Sequence, residues 1–539
     1  MSYIKGINRN QLLLLPPSLD EMIEEESPVR IIDAFVDAID IKQAGFDKSL
    51  PAERGRPPYD PSDLLKLYIY GYMNRIRTSR KLERECTRNI ELMWLMNNLR
   101  PSARSIAYFR SDNKKALKQV FRQFVVMIKN WDLFGKNLLA VDGSKLRAVN
   151  SKKNNYNQRK IERHLALIDK KTEEYLNKLD ENDKKDHGNR NVKVKEVLNQ
   201  LKLRREKYEQ LEKKLKETGK DQVSTTDPEA RQLIIRGQIT EVAYNVQATV
   251  DSKHNLIADV KATNTNDRKL LGVMGKRAKA ILGHNNFDFL ADKGYFNQEE
   301  IYLCSKEGIT PYVAVQDVGH GHPIPTKEYR YHNFSYNKIQ DCYICPQGAK
   351  LTSNGSWYKK DTRNKNILVK HYKTPLCKNC KARPLCTKSP VTRGRVIERS
   401  NYQGQVDANN RRVEKEKDKY RLRQQMVEHP FGVIKRQWGY DHVLLKGTKK
   451  VEAELNLIFT TYNLVRVIKI IGFKELIRKL RAFSSFFGKN GLFKRFLRLF
   501  EKLVKTNIMQ IKELLGYIYI KIIYIYHNKF LLKADFCTN

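Results

Sequence analysis

The sequence predicts a protein of the α/β class, with a helical N-terminal domain, a mixed-sheet core and two insertions in that core. Three observations predict it. Apolar residues recur at helical spacing from residue 18 to about 135; from Asn137 apolar runs and alternation replace that spacing; and the strand pattern is interrupted over 158–220 and 316–400. The expected organisation is a helical domain over 1–135, a core domain over 136–470 and a basic amphipathic tail over 471–539. A chain of 539 residues has room for two to four units, each with its own core.

Asp60-Pro61-Ser62-Asp63 opens a helix through Leu64, Leu65, Leu67, Tyr68 and Tyr72, because Asp caps free N–H groups and proline suits the first turn. Ser79 precedes a second helix (Leu82, Cys86, Ile90, Met93), and Ser102 or Ser105 a third containing Ile106, Phe109 and Arg110. Short helices with polar starts and interspersed arginines suit a helix-turn-helix reader of DNA, with Arg110 in the recognition helix; a small bundle that only packs on the rest fits the same spacing. Leu-Leu-Ala-Val over 138–141 reads as a buried strand ending at Asp142. Val242, Tyr244, Val246, Ala248 and Val250 alternate as in a half-buried strand, 251–255 is a turn, and 256–260 returns as the second arm of a hairpin. Asp267 starts a helix through Leu270, Leu271, Met274 and Ile281; Phe287–Ala291 is a strand ending at Asp292; Asn297, with Glu300 three residues on, begins the next helix like a capping box; 309–315 is a further strand. With a late helix carrying Glu428, this is a ribonuclease-H-like order of elements.

The insertion over 158–220 is rich in Lys and Glu, with Leu165, Ile168, Tyr175, Leu179, Val194, Leu198, Leu201, Tyr208 and Leu211 at helical spacing. It is expected to be a helical hairpin, a packing and DNA-flanking arm. Beyond Lys469 the chain is basic and amphipathic (Phe487, Leu492, Phe493, Phe496, Leu497, Phe500), and no role is read for it.

Lys and Arg number 102 against 60 Asp and Glu, a formal net charge of +42. Such an excess points to a polyanionic partner, nucleic acid or an anionic membrane surface. The four leucines before Pro16-Pro17 are too few for a signal segment, and the apolar run from Leu514 to Tyr526 is broken by Lys521. A spanning helix needs roughly 20 apolar residues, so no membrane segment is expected and a cytoplasmic, nucleoid-associated protein is. There the eight cysteines are reduced or metal-bound rather than paired.

Three acids stand apart in this basic chain, in Val-Asp142-Gly-Ser, Ala-Asp292-Lys-Gly-Tyr295 and Val-Glu428-His-Pro-Phe-Gly-Val-Ile-Lys435. Each alone reads more simply as a turn residue or a solvated helix residue. Together, carboxylates at the ends of apolar segments are costly unless paired or metal-bound. Magnesium or manganese prefers such oxygens, and two ions ~3.5–4 Å apart can serve an in-line displacement at phosphorus. Asp142, Asp292 and Glu428 are therefore the candidate catalytic and metal-ligating residues. Glu428 lies in a helical stretch from about Asn409, with Arg421, Gln424, Gln425 and Lys435 on its face if the helix stays regular; Pro430 is placed to kink it. Arg421, Arg423 and Lys435 are the candidate grip on a DNA backbone.

Over most of residues 18–470 the chain resembles the DDE-type insertion-sequence transposases. The resemblance rests on the three acid motifs above and on Ala-Tyr244-Asn-Val-Gln-Ala-Thr-Val-Asp251. It implies a ribonuclease-H-like catalytic domain with Asp142, Asp292 and Glu428 as its metal ligands, preceded by a helical transposase domain. It also implies an enzyme that binds its element's terminal inverted repeats and cleaves a phosphodiester to free a 3′-OH. That hydroxyl then attacks target DNA, in a complex expected to hold a homodimer or larger assembly. One spacing departs from the pattern of many relatives: Tyr420 to Arg423 and Glu428 to Lys435 fit, but Arg423 to Glu428 spans four residues rather than three.

Cys342-x-x-Cys345 and Cys377-x-x-Cys380, with Cys386 nearby, are spaced as in a zinc ribbon, so four of these five are expected to bind structural Zn2+; a metal-free subdomain with small buried cysteines is the alternative. The competing functions are a catalytically inactive or repurposed DNA-binding relative and an RNA-processing nuclease. No Walker-type loop or GxGxxG is present, so no nucleotide hydrolysis is expected.

Overall fold

The computed structural model describes residues 14, 17–47, 57–183, 188–236, 239–315, 325–360 and 367–487. The tail residues from 488 on, including the apolar run 514–526 and Cys537, lie outside them. The chain divides into two compact units, one of residues 1–120 with 467–539, the other of residues 121–466.

The first unit is helical. α1 (Pro28–Ala38), α2 (Ile41–Ala44), α3 (Pro61–Met73), α4 (Ser79–Arg88), α5 (Ile90–Leu95) and α6 (Ala103–Asp112) follow one another, and α7 (Lys114–Asn130) leads out. Asp60 caps α3 by accepting from Ser62 N, and Ser102 caps α6 by accepting from Ser105 N. The expected second helix is two: Thr78 caps α4, and Asn89 ends it and caps α5, so Ile90 and Met93 begin a new direction. Tyr68, Tyr72, Leu82, Cys86 and Ile106 are buried, and Phe109 stacks on Phe46 and Tyr68. The described start of the basic tail belongs to this unit, because Phe473–Phe487 packs along α1.

The second unit is built on a mixed sheet. β1 (Leu138–Arg147) is followed by two short paired strands, β2 (Asn155–Asn157) and β3 (Gln222–Ser224), then by β4 (Arg231–Arg236), β5 (Ile239–Asp251), β6 (Ile257–Thr263), β7 (Phe287–Ala291) and β8 (Ile309–Val313). The sheet runs β4-β5-β1-β7-β8, with β6 also on β5. β1, β5 and β6 are antiparallel neighbours, while β7 and β8 run parallel to β1. Buried asparagines close two of its outer strands. Asn463 bonds Ile257 N and O on β6, and Asn409 bonds Val313 N and O on β8, occupying backbone groups that an exposed edge leaves unpaired.

Between β2 and β3, α8 (Gln158–Asp183) and α9 (Gly188–Thr218) pack on each other around Ile161, Ile168, Leu201, Tyr208 and Leu215, a helical hairpin as expected. α10 (Leu271–Leu282) and α11 (Gln298–Lys306) flank β7; Asn297 caps α11, but Glu300 bonds Gly272 N rather than closing a capping box. The Cys-rich segment forms two small sheets around Phe334, Tyr343, Leu351, Tyr372 and Ile397 and contains the short helix α12 (Arg383–Cys386). The long helix expected from Asn409 is broken at Glu416 into α13 (Gln403–Lys415) and α14 (Lys417–Gly432). α14 absorbs Pro430 and widens into a π-helical turn, Val433–Gln437, before α15 (Thr448–Ile471). No single described helix is long and apolar enough to cross a membrane.

Candidate active site

β1 does not stop at the first acid. Asp142 lies in mid-strand, opposite Ala248 of β5, while the parallel pairing with β7 ends at Val141↔Ala291. Asp292 is the next residue after Ala291, so the register brings the two aspartates side by side. Asp292 caps the turn Lys293–Tyr295 by accepting from Gly294 N at 2.7 Å, and Asp142 accepts from Gly143 N at 2.8 Å. Burial, reinforced by the negative charge of Asp292, pushes the Asp142 carboxyl up to about 6 despite the bond from Gly143 and the nearby Arg423. Two adjacent acids, one of them desolvated, repel each other unless one is protonated or positive charge lies nearby.

A third aspartate joins them. Asp267 was expected to start a helix; instead it lies in a short turn, Asp267–Lys269, with its carboxylate turned to the sheet. It accepts from Lys145 at 3.0 Å, from Asn245 at 2.8 Å and from Gln247 at 2.7 Å, and Tyr295 donates to Gln247. Tyr295 is fully buried; burial first, then the charges of Asp267, Asp142 and Asp292, raise its hydroxyl well above the usual tyrosine range. The alternation along β5 therefore does not face water. Asn245, Gln247, Thr249 and Asp251 are as buried as the apolar residues between them. Polar residues alternating with valines signal an exposed face in sequence; here helices and loops cover that face, and its polar groups hold Asp267. Gly143 permits this convergence, since a Cβ there would lie 2.2 Å from Asp267 Oδ1 and 2.3 Å from Gln247 Nε2.

α14 packs on β1, β5 and β7. Tyr420 donates to Ala291 O at 3.1 Å, beside Asp292, and the Arg423 guanidinium, over the Tyr420 ring, pulls the Asp142 carboxyl downward. Lys435 donates to Ser144 Oγ and Lys145 O, both at 3.1 Å, two and three residues along β1 from Asp142. Glu428 is placed differently. It is exposed and accepts from Gln424 at 2.8 Å. At about 100° per residue, five residues carry Glu428 roughly 140° around the helix from Arg423, while Val427 and Phe431 take the buried face. Among the described residues, no three or more His, Cys, Asp or Glu side chains form a group able to hold a metal ion. The structure thus brings Asp142, Asp292, Arg423 and Lys435 together and leaves Glu428 outside that group.

Two expected DNA contacts sit elsewhere. Arg421 is exposed, paired with Asp418 at 3.2 Å, and borders an open cleft of about 500 Å3 with Lys417 and Tyr420. Arg110, expected on a reading surface, is buried in the first unit. It donates to Tyr72 OH at 2.9 Å and lies over the Tyr68 ring, so it serves the interior rather than a groove. A charged residue on a short amphipathic helix reads as exposed in sequence; only the tyrosines packed around it show otherwise. Of the five cysteines, Cys342 is fully buried in a strand, whereas Cys345, Cys377, Cys380 and Cys386 line one small cavity.

Two family models match the chain. Residues 17–112 match a transposase domain (DUF772), which spans α1 to α6, and residues 344–468 match a transposase DDE domain. The second match contains Glu428, Lys435 and four of the five candidate cysteines, with Asp142, Asp267 and Asp292 outside it. No curated protein and no solved structure matches the chain.

Proposed function

We propose that this chain, which its two family matches identify as an insertion-sequence DDE transposase, binds the terminal inverted repeats of its element and catalyses metal-dependent DNA strand cleavage and strand transfer. The observation that carries the chemistry is the side-by-side placement of Asp142 and Asp292, with Arg423 and Lys435 around them. The strand order, with three antiparallel strands followed by two parallel to the first, supports a ribonuclease-H-like core.

The residues fit a divalent cation, since burial of Asp142 and the charge of Asp292 together outweigh the pull of Gly143 N–H and Arg423. Asp142 and Asp292 would hold magnesium or manganese; Glu428 would join them only by leaving Gln424 and the exposed position it has here. When bound, such an ion supplies Lewis-acid charge to phosphate oxygens. Lys145, Asn245 and Gln247 fix Asp267, whose negative charge adds to that of Asp292 on Asp142. Lys435 and Arg423 offer positive charge to the backbone of a strand lying across β1. In the first unit, Arg80, Arg84 and Arg88 recur on one face of α4, opposite the buried Leu82 and Cys86, and are better placed than Arg110 for phosphate contact. Water attack on the phosphodiester releases a 3′-OH, and that hydroxyl then displaces a 3′-oxygen in target DNA.

Asp142→Asn, Asp292→Asn and Glu428→Gln should each abolish cleavage of a repeat-end duplex in magnesium while leaving its gel shift in place. Near-normal cleavage by any of the three removes that residue from the site. The exposed, Gln424-bonded Glu428 favours a second reading, a transposase-derived DNA-binding protein without turnover. Wild-type protein that shifts repeat DNA but never cuts it in magnesium or manganese would establish that one.

A further inference from the structure

We infer that Cys345, Cys377, Cys380 and Cys386 form a four-thiolate site for one structural zinc ion, and that Cys342 is not a ligand. This inference does not rest on the catalytic reading. The four cysteines come from two backbone turns and the end of a short helix. Cys345 follows the strand Cys342–Ile344 and opens a turn in which its N–H bonds Ala349 O and its carbonyl accepts from Gly348 N, at 2.9 and 2.8 Å. Cys377 lies in the turn Pro375–Asn379, Cys380 just after it, and Cys386 ends α12. All four line a cavity of about 30 Å3, close to the share of liquid volume taken by one water and large enough for one ion. Their thiols sense one another. Cys377, Cys345, Cys380 and Arg395 all lie within electrostatic reach of Cys386.

The cavity wall supplies the second observation. Arg383 and Arg395 line it, and the Nε of each is buried without an acceptor. A buried N–H with no partner is rare and costly. Four thiolates around Zn2+ carry a net charge of −2, and two guanidinium groups match that charge and can donate to the sulfurs. Among the described residues no three thiols stand at coordination spacing, so zinc entry would draw all four inward around the cavity.

Strand geometry excludes Cys342. Successive side chains alternate in direction, so Cys342 and Ile344 share one face while Tyr343 joins the aromatic cluster on the other. Cys342 is buried in that strand with its Sγ 3.8 Å from Gln340 Oε1, and it does not line the cavity. The first Cys-x-x-Cys is therefore not a ligand pair. The set is one cysteine from it, both from the second pair, and Cys386.

The test uses the full chain purified in reductant, loaded with zinc or with cobalt as the spectroscopic probe. Wild-type protein should bind about one zinc per chain. Its cobalt form should show intense near-ultraviolet sulfur-to-cobalt charge-transfer bands and tetrahedral visible bands. Cys342→Ser should keep both, whereas Cys377→Ser or Cys386→Ser should lose them. Since a ligand variant can lose metal merely by unfolding, wild type is also titrated with a thiol reagent; chelation should expose about four further thiols. An Asp142→Asn background keeps the cobalt charge-transfer bands and so separates them from carboxylate binding. Reduced wild type that takes up no zinc and gives no charge-transfer band overturns the proposal. So does a Cys342→Ser protein that loses them as fully as Cys377→Ser.

Discussion

Replacing Gly143 by alanine tests the construction of the acidic site without depending on any activity. The added Cβ would meet Asp267 Oδ1 at 2.2 Å, Gln247 Nε2 at 2.3 Å and Asn245 Oδ1 at 2.7 Å. All three are side-chain ends that elsewhere could swing away. Here Asp267 is held by Lys145, Asn245 and Gln247, and Gln247 also accepts from Tyr295. Asn245 and Gln247 are fully buried, so no solvent is available to replace a broken bond. Displacing Asp267 breaks one or two hydrogen bonds to a charged acceptor, about 1.5–3 kcal/mol each, and overpacking adds about 1–3 kcal/mol. Because these contributions overlap, the expected loss is about 3–5 kcal/mol. Urea unfolding of the metal-free protein measures it, with Gly404→Ala as the control, since a Cβ at Gly404 meets nothing within 4 Å. If the two variants unfold at the same urea concentration, Asp267, Asn245 and Gln247 do not converge on β1 as described.

Three further outcomes follow from the site and its surroundings. With its folded carboxyl near 6 and an ordinary value of 3.8, Asp142 holds its proton more tightly in the native state; its destabilising effect is absent below about pH 4 and grows as pH rises toward 6. In chelator, Asp142→Asn should therefore be more stable than wild type at pH 7.5, by up to about 3 kcal/mol, with no such gain at pH 4; a gain equal at both pH values would show that the charge is not the cause. Arg110→Ala should destabilise the first unit by about 2 kcal/mol or more while leaving the preference for repeat over random DNA unchanged, because it empties a buried site bonded to Tyr72; a loss of that preference at unchanged stability would return Arg110 to the reading surface. Lys435→Ala should flatten the dependence of log affinity on log salt by about 0.9 without changing which end sequence is preferred, as expected for one phosphate contact.

Local signals in the sequence already determine much of this protein. Aspartate, serine and asparagine before helical runs mark the starts at Asp60, Ser102 and Asn297, because a free N–H needs a nearby acceptor whatever the fold. Helical spacing over 158–220 marks the hairpin, and apolar runs mark β1 and β7, because burial follows side-chain period. The motifs around Asp142 and Asp292 single out both acids before any coordinates are known. Tertiary structure alone decided what covers each surface. The polar face of β5 is buried and grips Asp267, which in sequence reads as a helix start; Lys145 on β1, 122 residues away in sequence, donates to its carboxylate. Arg110 points inward because Tyr68 and Tyr72 close around it. Cys342 leaves the cysteine cluster because strand pleating turns it from the cavity, although its spacing to Cys345 looks like a ligand pair. Sequence period states which residues share a face; which face meets water depends on elements far along the chain, and these are positioned only when the sheet closes.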